Sequence, residues 1–510
     1  MLIVDIQIHV KPIIETDCDT IVTFLVEDNA GYGGATDAID KATNGAVQEL
    51  IDAGDFTGKS GQIAVIYPRG AINTKRVVLV GLGKSQEFSA ITLRRAVATG
   101  MQHARKIKAK RVATLLVRGG NDHALTAMQS AQAVVEGAIM GLYTYRGQKS
   151  DSTAQDEIDE LHISVFNQAD LADAQAGANR GKAYAEGAVM TRNLVNTPPN
   201  ICTPAYLAER ASDMAKAKGL RVEILEEGHM RALKMGALLG VAQGSGTTHT
   251  PRFIILEHNA DKAGTLPTIV LVGKGVTFDT GGYSIKTAEG MIGMKADMGG
   301  GGAVISAMSI IADLQVPLHV VGLVPAVENM ISDKAYRPQD VLTASNGKTI
   351  EIISTDAEGR LILADTLVYA KRYHPVAVVD IATLTGACVV ALGKAAAGLF
   401  ATDDDVANLL SQAGDFTEER VWRLPLYPEY DKAIESDTAD IKNSGGPRSG
   451  VGTSAAFLKQ FVDYPIWAHV DMAGMMVDAE NNPTIPTKGA TGYGARLLAY
   501  FIELWAQKSS

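Results

Sequence analysis

The sequence predicts an α/β protein with two α/β domains, the C-terminal one built on a mainly parallel central sheet flanked by helices. Short β-branched runs alternate with helix-period segments along most of the chain, the order that builds βαβ units. In the second part the runs are apolar at successive positions, as strands covered on both faces require. With 510 residues, 46% hydrophobic and 20% charged, the chain can bury sizeable cores rather than remain disordered. At roughly 100–200 residues per domain, that length asks for two to four domains.

The elements follow in order. The opening MLIVDIQIHVKPII alternates like a strand. It has no basic leader, and Asp5 and His9 interrupt its apolar stretch, so it does not read as a signal peptide. Strand-like runs follow at 21–27, 62–67, 76–81 and 111–117, with helical patterns at 35–53, 89–108 and 125–142. The polar stretch 145–160 reads as a surface loop. Residues 1–168 then form an N-terminal domain, and an Ala-rich helical linker spans 169–195. The cluster NTPPNICTP stops that helix, because three prolines forbid its continuation. In the domain 196–510, buried-looking strands are read at 252–258, 268–274, 318–325, 349–354 and 376–381, with helices at 302–314 and 360–372.

Charge and cysteines exclude several classes. A net charge of −10 gives little general attraction to nucleic-acid phosphates. Cys18, Cys202 and Cys388 are too few and too scattered for a disulfide framework or a CxxC zinc site, which suits a reducing, cytoplasmic location. The most apolar stretch, 376–401, is broken by Asp380 and Lys394, so no membrane partner is expected. The run VLVGLGKS has Val78 where a phosphate loop needs its first Gly, and LVGKGVTF fails the same pattern. There is no HExxH and no GxSxG. His319 and His469 read as core histidines.

The chemistry concentrates in three Gly-rich segments at apparent strand ends. VGKGVTFDTGGYSIK carries Lys274, Asp279 and Lys286; GMKADMGGGGA carries Lys295 and Asp297; STDAEGRLILADTL carries Asp356, Glu358 and Arg360. In an extended turn the spacing of two puts Asp356, Glu358 and Arg360 on one side, and the ends of strands in open α/β sheets are where ligands sit. Four glycines, 299–302, permit close backbone approach beside Asp297. Four crowded carboxylates repel and hold protons unless cations compensate. Two divalent ions balance them formally, and a set without His or Cys suits Mg, Mn or Zn on oxygen donors. Lys274 serves as a ligand only after losing its proton beside a dication.

With these residues the sequence closely resembles the leucyl aminopeptidase (cytosol aminopeptidase) family of dinuclear metallopeptidases. TDAEGRL matches the family signature, and VGKG…FDTGG…SIK and MKADM match its metal-binding segments. RNLVNTPPN, DIATLTGA, ADIKNSGG and WAHVDMAG extend the likeness from about Arg192 to the C-terminus, while the first part is similar only in its α/β pattern. The resemblance implies one metal on Lys274, Asp279, Asp297 and Glu358, and a second on Asp279, Asp356 and Glu358. It implies Lys286 and Arg360 as catalytic side chains, with a bicarbonate ion on Arg360 as proton shuttle. Met294, Thr383 and Gly386 would line the pocket for the substrate's first side chain. The implied activity is release of N-terminal residues, Leu and Met preferred, from short peptides with a free N-terminus, by a homohexamer assembled as a dimer of trimers. Ser354 stands where the family commonly has Asn, Tyr283 where an aliphatic residue is usual, and Gly301 and Gly302 where small Ala residues are common.

The main rival is a DNA-binding or regulatory protein on the same scaffold, resting on one basic cluster, ARKIKAKR, at 104–111. The blander reading of that cluster is a solvated helix end entering a strand. A dinuclear phosphoesterase is a further rival, but such sites usually include His.

Overall fold

The computed structural model describes residues 4–28, 34–119, 124–150, 157–446, 448–479 and 481–509. The chain divides into two compact units, Met1–Glu186 with Glu480–Thr487, and Gly187–Ala479 with Lys488–Ser510. The division falls inside a single helix, Leu171–Asn196, which covers the segment read as a linker.

The first unit holds six strands: β1 (Asp5–Val10), β2 (Thr20–Val26), β3 (Ile63–Ile66), β4 (Arg76–Gly83), β5 (Arg111–Leu115) and β6 (Glu160–Val165). They form one sheet in the order β1-β6-β5-β2-β4-β3, parallel except where β3 runs against β4. The pattern at 35–53 is two helices, Gly34–Ala42 and Ala46–Asp52, rather than one. Asn44 and Gly45 adopt positive φ between them, which an α-helix cannot absorb. Ser89 and Thr126 cap the next two helices, Ala90–Lys106 and Ala127–Leu142, with reciprocal capping boxes. Strand β6 was not read from sequence, because Glu160, His162 and Ser164 obscure its apolar face. Residues 151–156 of the expected surface loop lie outside the described residues.

The second unit is built on β7 (Arg221–Leu225), β8 (Arg252–His258), β9 (Thr268–Gly273), β10 (Gly275–Asp279), β11 (His319–Asn329), β12 (Val341–Thr343), β13 (Thr349–Glu351), β14 (Ala377–Ala382), β15 (Ala397–Ala401), β16 (Val421–Arg423), β17 (Ile441–Lys442) and β18 (Trp467–Asp471). The main sheet runs β16-β15-β18-β14-β9-β11-β8-β7, with β10 beside β11. Its centre, β18-β14-β9-β11, is parallel and buried at every residue, as the unbroken apolar runs require. Antiparallel pairs occur toward the edges, where β8 meets β11 and β15 meets β18.

One strand departs from expectation. The run 349–354 does not join the main sheet: β13 stops at Glu351 and lies in a small sheet, β12-β13-β17. Its pairing with β12 extends one residue further, Ile352 N donating to Asp340 O, and ends where the Ile353 and Ser354 amides donate to Asn443 Oδ1 instead. The helix expected at 302–314 starts earlier, at Gly299, so all four glycines form its first turn. The helix expected at 360–372 starts at Glu358. His319 is a satisfied core histidine, 2.9 Å from Thr268 Oγ1 and 3.3 Å from Glu257. Among the described residues, no helix is long and apolar enough to cross a membrane.

Candidate active site

Strands β9, β10, β11 and β14 end together at the C-terminal edge of the main sheet, and the chemistry-bearing residues follow them. Lys274 comes directly after β9, and its backbone is fixed on both sides: its amide donates to Ile381 O and its carbonyl accepts from Gly301 N. The glycine helix packs hard against this corner. A Cβ on Gly300 would stand 2.1 Å from Ile381 O and 3.0 Å from Lys274 N, so the four-glycine run does allow close approach, from within a helical turn. Asp279 closes β10. The chain then turns through Gly281 and Gly282, both at positive φ, and returns Lys286 to the same corner. Asp297 sits in the short turn Met294–Met298. Asp356 lies in the loop after β13, and Glu358 begins its helix. Their spacing of two is not that of one extended turn, yet both carboxylates reach the cluster because the helix starts at Glu358, just after the loop that carries Asp356.

Lys274 Nζ lies 2.6 Å from Asp297 Oδ1 and 2.8 Å from Glu358 Oε1, and donates to Thr383 O at 2.9 Å. Lys286 Nζ lies 2.8 Å from Asp279 Oδ2 and also pairs with Asp356. Oxygens of Asp279, Asp356 and Glu358 fall within 4.8 Å of one another. Thr383 Oγ1 donates to Asp297 Oδ1 at 2.7 Å, whereas Asp297 Oδ2 is buried with no partner.

The electrostatics follow from four acids meeting two ammonium groups in a buried place. Burial, then the Glu358 charge, pushes Asp279 up to about 6. Burial raises Asp297 well above the carboxylate range and raises Asp356 as well. Glu358 is the exception: burial raises it, but Lys274 and Lys286 outweigh that and hold it below its ordinary value. Both lysines are raised, burial being overcome by the surrounding acids, so both keep their protons at neutral pH.

One cavity of about 390 Å³ collects these groups. Lys274, Asp279, Lys286, Asp297, Asp356 and Glu358 line it, and so do Met294, Thr383 and Gly386. Two sequence-singled residues turn elsewhere. Lys295 donates to Asn196 O at 2.7 Å. Arg360 is buried behind the cluster, donating Nη1 to Asn443 O at 2.8 Å, with Nε unpartnered; burial lowers it to about 10. Sequence reasoning named Met294 but missed other apolar residues of the lining, among them Leu384, Ala473 and Met476. It also missed the buried polar residues behind the cluster, Asn329, Tyr336 and Asn443. A polar residue ending a long apolar run, as Asn329 ends β11, was the available signal. Ser354, at a departure from the family pattern, accepts the Asp356 amide on its hydroxyl, and Tyr283 donates to Ser332 O.

The chain is similar to known proteins along most of its length. The chain matches the cytosol aminopeptidase family, catalytic domain, over residues 189–499, and the N-terminal domain of that family over residues 22–152. A "Probable cytosol aminopeptidase" of Roseiflexus castenholzii is 46% identical over 90% of this chain and 93% of its own. The cytosol aminopeptidase of Pseudomonas aeruginosa is 39% identical over 96% and 97%. Among solved structures, a mutant of tomato leucine aminopeptidase aligns with TM-score 0.87 at 33% identity, over 98% of this chain and 96% of its own. The bottromycin maturation enzyme BotP in complex with Mn aligns with TM-score 0.83 at 31% identity, over 96% and 99%. With both family domains matched in order, and the lysine–carboxylate cavity lying inside the catalytic match, this chain belongs to the cytosol aminopeptidase family and is a peptidase enzyme.

Proposed function

We propose that this chain is a metal-dependent aminopeptidase that releases N-terminal residues, apolar ones such as Leu and Met preferred, from short peptides. The observation carrying the proposal is the cavity floor: four carboxylates and two lysines converge there, and one acid oxygen, Asp297 Oδ2, is buried without a partner. Such an oxygen, together with three acids whose oxygens lie within 4.8 Å, fits divalent cations and little else. Following the resemblance, Lys274, Asp279, Asp297 and Glu358 would hold one ion, and Asp279, Asp356 and Glu358 the other. The oxygen-rich set suits Mn²⁺ or Zn²⁺, and Mg²⁺ as well; the Mn in BotP supports the first.

Two such ions, when bound, supply an activated water and a polarised scissile carbonyl. The residues of this chain do the rest. Lys274 gives up its proton on loading, since it is an ammonium while the acids alone surround it. Lys286 stays charged and offers a donor where negative charge develops on the carbonyl oxygen. The resemblance puts bicarbonate on Arg360 as a proton carrier; here that side chain lies behind the cavity lining and donates to Asn443 O, so this part of the reading rests on the resemblance alone. A free α-amine, which an internal peptide bond lacks, would bind at one of the two ion sites. Met294, Thr383 and Gly386, with Ala473 and Met476, border the space for the first side chain.

The test is hydrolysis of a leucine anilide beside its N-acetylated form, with Mn²⁺ or Zn²⁺ and after chelation, by wild type and Asp356→Ala. Cleavage of the free-amine substrate alone, dependent on metal and lost in the variant, is expected. Cleavage that survives chelation, or equal cleavage of both substrates, overturns the proposal. We further place the enzyme in the cytoplasm as a homohexamer, a dimer of trimers; a light-scattering mass near six times 53.9 kDa checks the assembly. The rival DNA reading is weakened because three of the five basic side chains of its cluster are engaged within the protein, while Lys106 and Lys108 are exposed. Arg105 donates to Leu142 O, Lys110 to Glu157 O, and Arg111 pairs with Asp17 at 2.6 Å.

A further inference from the structure

We infer that Asn329 is a positioning residue of the carboxylate cluster: it turns Asp279 so that only one oxygen, Oδ2, is offered to a cation, and it clips that carboxylate to the loop bearing Asp356 and Glu358. The inference rests on the metal-dependent reading above.

Sheet register creates the clip. Strands β10 and β11 pair in parallel, and their last residues, Asp279 and Asn329, stand opposite each other. Thr280 extends the pairing, donating both its amide and its hydroxyl to Asn329 O. Asn329 is therefore held by its backbone and is fully buried. Its Nδ2 donates in two directions, to Asp279 Oδ1 at 2.8 Å and to Thr355 O at 3.0 Å. Both hydrogens of the amide are thus used.

Asp279 Oδ1 receives a second donor, the Gly281 amide, also at 2.8 Å. Two N–H groups occupy the directions in which that oxygen accepts. Oδ2 is left facing Lys286 Nζ and the centre of the cluster. A carboxylate that would serve as a metal ligand needs its orientation set beforehand, since the ligand is lost if it swings. Asn329 does this from behind the site without lining the cavity. Its own Oδ1 is buried and accepts nothing. An unsatisfied buried acceptor is costly, so the amide is a poor choice for packing alone and a good one for its two donors. Thr355 O has a second anchor, the Tyr336 hydroxyl at 2.8 Å, whereas Asp279 has no side-chain donor from behind except Asn329 among the described residues.

Metal uptake by the full chain separates this role from a structural one. Protein stripped with chelator would be titrated with Mn²⁺ or Zn²⁺ alone, by competition with a chromophoric chelator, for wild type, Asn329→Ala, Asn329→Leu and Tyr336→Phe. Thermal unfolding in chelator would report folding separately. Asn329→Leu keeps the branched shape while removing both donors, so it serves if the alanine variant folds poorly. Both Asn329 variants should fold and bind metal about 10–100-fold more weakly, while Tyr336→Phe stays within about threefold of wild type. Folded Asn329 variants that bind like wild type overturn the inference. An equal loss in Tyr336→Phe also overturns it, since the effect would then lie at Thr355 alone. A wild type that takes up no divalent ion overturns the metal-dependent reading and this inference with it, an outcome distinct from the other two.

Discussion

Lys274 Nζ stands 2.6 Å from Asp297 Oδ1 with both side chains buried, so the cluster contains its own internal cation. This pair explains how several acids coexist at the sheet edge before any metal arrives. It also identifies Lys274 as a structural counter-charge as well as a ligand candidate.

Removing that counter-charge should be costly. Lys274→Met leaves Asp297 and Glu358 buried without their shared partner, and breaking a buried pair from one side typically costs about 3–5 kcal/mol. Urea unfolding in chelator should show a loss of that order. Adding Asp297→Asn should restore part of it, because the two sites share one interaction. Strictly additive losses would mean that the pair contributes nothing specific.

Lys286 should matter to rate rather than to fold. It is partly exposed at the cavity and pairs with Asp279 and Asp356. Lys286→Ala, with metal content measured and unchanged, should lower kcat by about 10²–10³-fold through loss of a charged donor. A kcat near wild type would remove Lys286 from the chemistry.

Asp365 makes stability depend on pH. Its carboxylate is fully buried and accepts the Leu238 and Ser345 amides, yet burial wins and pushes it up to about 6 from an ordinary 3.8. The native state therefore favours the neutral acid. The associated stability is complete only below the ordinary 3.8 and disappears as pH rises through about 6. Asp365→Asn cannot titrate. Wild-type stability minus that of the variant should fall by about 2 kcal/mol between pH 4 and 7, read by denaturant unfolding at several pH values. A difference that rises with pH would show the backbone donors prevailing over burial.

The glycine helix predicts opposite responses at adjacent positions. A Cβ on Gly302 meets its first neighbour, Met298 Cε, at 3.4 Å, ordinary contact. Gly302→Ala should therefore gain about 0.5–1 kcal/mol from backbone entropy. A Cβ on Gly301 would stand 2.6 Å from Val324 Cγ1, so Gly301→Ala should destabilise. Melting temperatures moving up and down respectively check both; a shift in the same direction would contradict the packing argument.

The sequence by itself determined the α/β class, the strands whose apolar runs are unbroken, and every acid and lysine that the cavity gathers. Those runs are legible because a strand buried on both faces needs no polar alternation. The loop residues are legible because Asp, Glu and Lys in Gly-rich turns at strand ends have no packing reason to be there. Only the tertiary structure decided the rest. It put 349–351 in a small sheet with β12 and β17, and ended that strand where Asn443, about ninety residues away in sequence, accepts the Ile353 and Ser354 amides. It turned Arg360 away from the cavity toward Asn443 O. It set Asn329 behind Asp279 through the register of two parallel strands separated by forty residues of chain, from Asp279 to His319. Hydrogen bonds between segments so distant in sequence leave no local periodicity, so their partners become visible only when the sheet brings them together.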